Sequence, residues 1–157
     1  MSFSKIQLVA ESLRIEGIHR RPTLGELAEF DRFMALDTVT VQDLIQFVLA
    51  YEPGAVLRDR PGSDVIIGGR RPVLGGPDVT TQLDDLLKSI NKSVDDGVGR
   101  SYSYLAHIRY EILHPFSDCN GRSGRMLWFW MMRDMPLGFL HQWYYFSLAH
   151  ASKNGWF

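Results

Sequence analysis

Twelve consecutive residues carry a base, a carboxylate, an amide and two guanidinium groups. They run from His114 to Arg125 and read HPFSDCNGRSGR. Proline pushes the residue before it out of the helical region, so a helix must end before Pro115, and a new helix can begin after Asn120. The first-turn N–H groups of that helix lack intrahelical partners and lie at the positive end of its dipole. The segment therefore predicts an anion site, in outline a site for phosphate.

The side chains of this segment are those that phosphoryl or nucleotidyl transfer requires. Arg122 and Arg125 are three residues apart, so a helix would place both on one face, where they could grip the same phosphate chain. Asp118 is the only carboxylate of the segment and suits a Mg²⁺ ion that keeps most of its water and bridges phosphate oxygens. His114, with an ordinary pKa of about 6.5, is the candidate general base for a hydroxyl nucleophile.

Composition excludes several classes of protein. The chain has 157 residues, of which 45% are apolar and 22% charged, and these values exclude disorder and a coiled coil. A net charge of −1 gives no basic footprint for nucleic acid. The single cysteine, Cys119, rules out an intramolecular disulfide and fits a reducing compartment. Apolar stretches fall far short of the roughly 20 residues of a membrane helix. We expect one domain over residues 1–157, located in the cytoplasm, that binds neither nucleic acid nor membrane.

Helical spacing of apolar residues dominates the chain outside one region. Ser4 with Gln7 and Thr23 with Glu26 resemble capping boxes, and Ile6, Leu24 and Leu49 fall on the faces that we expect to be buried. The predicted helices start at Ser4 (ending at Gly17) and at Thr23, then cover residues 41–51, 79–90, 102–113, 121 to about 135, and 139–150. Aromatic runs at 128–132 and 143–146 are interpreted as core, and His107 as a structural residue.

Residues 56–77 differ in composition from the rest of the chain. Five glycines and three prolines separate two short apolar runs there, which predicts a small β-hairpin. The expected fold class is therefore mainly α, with one hairpin.

The segment 114–125 resembles the Fic signature, H-P-F-x-D/E-G-N-G-R-x-x-R, at every defined position but one. The resemblance extends over about residues 8–134 and includes an Ile-Gly-Gly hairpin similar to the Fic flap. It implies a Fic-like helical domain that transfers AMP from ATP to a Ser, Thr or Tyr hydroxyl of a target protein and releases pyrophosphate. By this resemblance His114 deprotonates the hydroxyl, Asp118 holds Mg²⁺, and the phosphates are bound by Asn120, the backbone of Gly121, Arg122 and Arg125.

The residue at position 121 favours nucleotidyl transfer over transfer of the γ-phosphate. The Doc branch has lysine there, and the resemblance would then imply transfer of the γ-phosphate, whereas this chain has Gly121. Alternatives stay open: a phosphotransferase, a transferase of another nucleotide, a hydrolase that removes AMP, or a non-catalytic nucleotide-binding regulator.

Cys119 is the departure from the signature, which usually has glycine there. If the backbone is left-handed at this position, a β-carbon adds about 1–2 kcal/mol of strain. A thiol beside a helix N-terminus can also acquire a lowered pKa and become reactive. A tolerated small residue is the favoured interpretation.

A second motif lies in the predicted inhibitory helix, residues 1–17. Ser12 and Glu16, followed by Gly17, resemble the S/T-x-x-x-E-G/N inhibitory motif of Fic proteins. In that family the glutamate pairs with the second arginine of the signature, here Arg125, so we hypothesise autoinhibition by Glu16. A carboxylate and a phosphate would compete for the same guanidinium group.

The predicted hairpin could present an edge to the target protein. An extended target peptide could add to that edge as a strand and align its hydroxyl beside His114; the resemblance to the Fic flap favours the edge Val65, Ile66, Ile67 and Gly68. The identity of the target, the type of residue modified, the preferred nucleotide and formation of a homo-oligomer stay open at this point.

Overall fold

The computed structural model describes residues 3–142 and is mainly helical. Residues 137–142 are also helical, and the predicted helix 139–150 lies largely outside the described residues, as does the aromatic run 143–146. The six principal helices are α1 (Lys5–Ile15), α2 (Leu24–Met34), α3 (Val41–Tyr51), α4 (Pro77–Asp95), α5 (Gly99–Leu113) and α6 (Asn120–Met131).

Local sequence signals set the ends of the first three helices. Both predicted capping boxes are present, and a third joins Thr40 to Asp43 at the start of α3. Gly17 adopts φ +75° after α1, and the N–H groups of Gly17 and Ile18 donate to the carbonyls of Arg14 and Leu13. This pair of bonds is the Schellman arrangement that glycine permits, so the predicted end of α1 is confirmed.

The central element is α6, which packs against α1, α2, α3 and α5. All its residues except Gly121 are buried, as expected of a helix that other elements surround. The aromatic run 128–132 is buried, which confirms it as core. The helix that carries the candidate site at its N-terminus is therefore the helix that the rest of the fold holds in place.

Some details of the predicted helices were wrong. Ile6, Leu24 and Leu49 are 52%, 86% and 46% exposed, because the apolar stripes of their helices are narrower than the spacing alone suggested. Helix α4 continues five residues beyond the predicted Ile90, since the Ser93 hydroxyl donates back to the Ile90 carbonyl without interrupting the helix.

Residues 56–77 contain a β-turn at residues 67–70 and no β-ladder. The Ile67 and Arg70 backbones exchange two hydrogen bonds of 2.8 Å. Gly68 and Gly69 between them adopt φ +51° and +79°, the left-handed pair that a type I′ turn requires. The tip of a hairpin is thus present as a single bridged pair of residues, and the larger flap stays a prediction.

No helix in the described part of the chain is both long enough and apolar enough to cross a membrane.

Candidate functional site

His114 ends α5 in a left-handed conformation, with φ 50° and ψ 63°. A residue other than glycine rarely adopts this conformation, which costs about 1–2 kcal/mol. Pro115 explains why the helix stops, because it disfavours the α region for the residue before it. Strain at this point is maintained by the bonds that the neighbouring backbone makes.

Arg58 holds the carbonyl groups around His114. Its guanidinium group is fully buried and donates to the carbonyls of His114 at 2.7 Å, Leu113 at 3.0 Å and Val73 at 2.9 Å. These three bonds join the end of α5 to the chain beyond the turn. Sequence reasoning missed this residue, since its role depends on contacts 15 to 56 residues away.

Backbone pairing fixes the segment that follows His114. Arg58 N donates to the Pro115 carbonyl, and the N–H of Ser117 donates to the Val56 carbonyl, each at 2.9 Å. The Asn120 side chain accepts from the Phe116 N–H at 2.9 Å and donates to the Phe116 carbonyl at 2.8 Å. Both hydrogen-bonding ends of Asn120 are therefore used to close the turn, and its predicted role as a phosphate ligand stays a prediction.

The His114 ring favours its neutral form. Burial lowers its pKa most, the positive charges of Arg58 and Arg70 lower it further, and the Glu111 backbone and Asp118 raise it. Nδ1 is buried and makes no hydrogen bond of acceptable geometry within the described residues. A neutral imidazole has a lone pair available, which is the form that a general base needs.

Asp118 is the exposed acid of the site. Its side chain is 63% exposed, and Oδ1 accepts from the Cys119 N–H at 2.5 Å. Arg122 lies 3.4 Å from the same oxygen. The described residues contain no cluster of three or more metal-ligating side chains. A single solvent-facing carboxylate fits Mg²⁺, which usually binds through one or two carboxylates, several waters and substrate phosphates.

The two arginines of the segment point to different neighbours. Arg122 is buried and donates weakly, at 3.3 Å to the Tyr51 carbonyl and at 3.4 Å to Glu52 and Asp118. Its Nε atom is buried without a partner in the described residues. Arg125 instead faces α1. The structure does not bring the two guanidinium groups onto one ligand, so their shared grip on a phosphate chain stays a prediction.

Arg125 binds the two motif residues at the end of α1. Nε donates to the Ser12 hydroxyl at 2.9 Å, and Nη2 donates to the Ser12 carbonyl at 2.9 Å. Nη2 also donates to Glu16 Oε1 at 2.5 Å. The Arg125 side chain is 3% exposed and that of Glu16 is 34% exposed. The structure thus brings Ser12, Glu16 and Arg125 together across 109 to 113 residues of sequence.

The carboxylate of Glu16 lies over Gly121, in the first turn of α6. A β-carbon on residue 121 would collide with Glu16 Oε1 and would lie 3.0 Å from Arg125 Nη1. Glycine therefore leaves the space that the carboxylate fills. A carboxylate at a helix N-terminus and on a buried guanidinium group occupies the kind of position that suits a phosphate.

Cys119 has the left-handed backbone on which the strain argument depended, with φ 69° and ψ 12°. The thiol is buried, and burial raises its pKa to about 12. The alternative of a reactive thiolate with a lowered pKa is therefore wrong, since the thiol stays protonated at neutral pH.

Glu111 and His107, both on α5, form a titratable pair that the sequence pattern did not reveal. The Glu111 carboxylate lies 3.9 Å from His107 Nε2. Burial raises the pKa of Glu111 to about 7, with Arg125 lowering it and Glu16 raising it. Burial lowers the pKa of His107 to about 4, and its Nδ1 lies 3.2 Å from the Gly124 carbonyl. His107 is buried in the helix interface, as a structural residue would be.

The candidate target-binding edge, residues 65–68, leads into the turn described above. Ile66 is 66% exposed, and the backbones of Val65, Ile66 and Gly68 make no hydrogen bonds within the described residues, whereas Ile67 is bonded to Arg70.

Comparison of the chain with protein-family models and with curated proteins finds no match.

Proposed function

We propose that this protein is an adenylyltransferase that moves AMP from ATP to a Ser, Thr or Tyr hydroxyl of a target protein and that Glu16 holds it inactive. The proposal includes the Fic-like character of the fold, of the 56–77 flap and of the 114–125 signature. A cytoplasmic location and a protein target rather than nucleic acid belong to the same proposal.

The observation that carries the proposal is the contact of Glu16 with Arg125 over Gly121. A buried arginine near the N-terminus of a helix is costly in free energy unless an anion balances its charge. Here the anion comes from the C-cap of α1, through a side chain that is 34% exposed and that a phosphate would displace. A site that already holds an internal carboxylate supports phosphate binding and explains how binding would be controlled.

His114 supplies the base in this mechanism. Its burial and the charge of Arg58 keep the ring neutral, so it can accept the proton of an incoming hydroxyl as that oxygen attacks the α-phosphorus. The new bond joins the hydroxyl oxygen to phosphorus, and the bond to the bridging oxygen of pyrophosphate breaks. The N-terminus of α6 with Arg125 would stabilise charge on the phosphates.

Asp118 is the residue that would hold Mg²⁺. The bound ion would neutralise phosphate charge and orient the leaving group. Arg122 lies beside the same carboxylate and would limit how Asp118 turns.

The test is intact-mass analysis after incubation with Mg²⁺ and each nucleoside triphosphate in turn. We expect the Glu16→Gly and Glu16→Gln variants to gain one AMP from ATP by self-modification, and the wild type to gain much less. The double variant with His114→Ala should gain nothing. ATP labelled at the α or the γ position identifies which phosphate is transferred.

Glu11→Gln is the matched control, because Glu11 lies on the same helix and pairs with Arg14 instead. It should behave as the wild type. Transfer from the γ position would establish a phosphotransferase, and release of AMP from a modified protein would establish a hydrolase. No mass gain in any folded variant would favour a non-catalytic regulator.

A further inference from the structure

A groove beside the turn lies outside the site described above. Its volume is about 560 Å³, within the range of pockets that hold small ligands or several side chains. It is bounded by residues 70–73 and by α4 and α5, and it contains no residue of 114–125 or of α6. Its lining residues are therefore different from those assigned to the triphosphate.

The groove concentrates positive charge in a chain whose net charge is −1. Arg70, Arg71 and Arg109 line it, with Asp85 as its only acid. Within the described residues none of these three guanidinium groups forms an ion pair, whereas Asp85 lies 3.9 Å from Lys88. Arg109 is positioned by a 3.0 Å hydrogen bond to the hydroxyl of Tyr102. The groove is therefore suited to a ligand with carboxylate groups.

The same groove offers apolar surface. Leu86 and Leu113 are buried at its wall, and Ile112, which also lines it, is 46% exposed. Leu105 is 43% exposed, and its spacing from Arg109 and Ile112 places all three on one face of α5. Exposed apolar side chains next to guanidinium groups that form no ion pair in the described residues favour a polypeptide with acidic and apolar residues over a free phosphate.

The groove also adjoins the candidate base. Leu113 lines it and directly precedes His114, and the charge of Arg70 is close enough to lower the pKa of the His114 ring. The unbonded backbones of Val65 and Ile66 precede the turn. A chain lying along that edge with a residue at His114 would be near this groove.

We propose that the groove binds an acidic, partly apolar segment of the target protein, next to the residue that is modified. The role of the segment as part of a target rests on the proposed function. Binding of such a segment does not, so the two can fail separately.

The test uses a fluorescein-labelled ten-residue peptide of alternating glutamate and leucine, with fluorescence anisotropy as the readout. Matched peptides carry glutamine or lysine in place of glutamate. We expect the glutamate peptide to bind the wild type at least about tenfold more tightly than the glutamine peptide, and to weaken as salt rises. Arg109→Glu and the double variant Arg70→Glu, Arg71→Glu should each weaken binding by about fivefold or more.

Arg60→Glu is the control variant, since this side chain is 89% exposed in the same region and does not line the groove. It should leave peptide affinity within about twofold of the wild type. Equal affinity for the glutamate and glutamine peptides, or unchanged binding by folded Arg109→Glu protein, would overturn the proposal. So would release of the peptide by saturating ATP with Mg²⁺, which would assign the groove to nucleotide. Loss of AMP transfer with peptide binding intact would refute the proposed function alone.

Discussion

Asn120 and Asn91 perform the same task at two places in the molecule. Each accepts a hydrogen bond of 2.9 Å from one backbone N–H and donates one of 2.8 Å to the carbonyl of the same residue, Phe116 for Asn120 and Val39 for Asn91. Only Asn120 lies in the candidate site. Comparing variants of the two residues therefore separates the contribution of these hydrogen bonds to stability from any contribution to function.

We expect Asn120→Ala and Asn91→Ala to lower the free energy of unfolding by similar amounts, about 2 kcal/mol each. Both variants leave a backbone donor and acceptor without partners, and each unsatisfied buried group costs about 1–3 kcal/mol. Urea denaturation measures this loss. Stabilisation by ATP should fall in Asn120→Ala and persist in Asn91→Ala. Equal persistence in both would show that the 116–120 turn has no part in nucleotide binding.

Cys119 allows the strain of the left-handed backbone to be measured. Cys119→Gly and Cys119→Ala both remove the sulfur, but only glycine relieves the strain at φ 69°. We expect the glycine variant to be about 1 kcal/mol more stable than the alanine variant in urea denaturation. If alanine is equally stable, the strain at this position is negligible.

The connection between α5 and α6 shows what sequence could predict about the site and what it could not. Pro115 and the spacing around it located the break between the helices and placed the start of α6 after Asn120, one residue from where it begins. The buried contacts of Arg58 could not be predicted, because the carbonyls that it meets are brought together only by folding. For the same reason the pattern could not reveal that Arg122 and Arg125 turn to different neighbours, although both lie in the first two turns of one helix.

The Glu111–His107 pair on α5 makes stability depend on pH in two opposed ways. The raised pKa of Glu111, about 7, gives a stabilising contribution that is complete below its unfolded pKa of about 4.5 and is lost as pH rises through 7. The lowered pKa of His107, about 4, gives a stabilising contribution that is complete above its unfolded pKa of about 6.5 and is lost as pH falls through 4. The two changes offset each other between about pH 4.5 and 6.5.

Glu111→Gln should remove the contribution of Glu111 to this pH dependence and leave that of His107. Relative to the wild type, the variant should gain stability as pH rises from 4.5 to 7, by at most about 3 kcal/mol. This figure is an upper limit because it uses the full pKa difference, whereas 17% of the Glu111 side chain is exposed and solvent reduces the effect. Urea denaturation at half-unit pH intervals measures the difference. A difference that does not change with pH would mean that Glu111 ionises normally in the folded protein.

At the scale of the whole molecule, a contact between α1 and α6 joins the N-terminal helix to the candidate site. Helix α1 packs on both α2 and α6, and its C-terminal turn delivers Ser12 and Glu16 to Arg125. Leu8, Val9 and Leu13 of the same helix are buried in the core. The apolar face thus anchors α1 independently of the contact that its end makes with Arg125, so under the proposed function a ligand would replace Glu16 without undocking the helix.

This arrangement predicts that Glu16 and ATP compete. If both need the space over Gly121 and the Arg125 guanidinium group, removing the charge of Glu16 must strengthen ATP binding, by about fivefold or more for a typical coupling between sites. Thermal unfolding with and without ATP and Mg²⁺ measures the effect, because a tighter ligand raises the unfolding temperature further at equal concentration. We expect Glu16→Gln to show the larger rise and Glu11→Gln to match the wild type. Ser12→Ala should show an intermediate rise, since Arg125 loses one bond there and keeps its pair with Glu16. Identical shifts in all four proteins would show that nucleotide binds without displacing Glu16, and the carboxylate would then be a structural partner of Arg125 rather than an inhibitor.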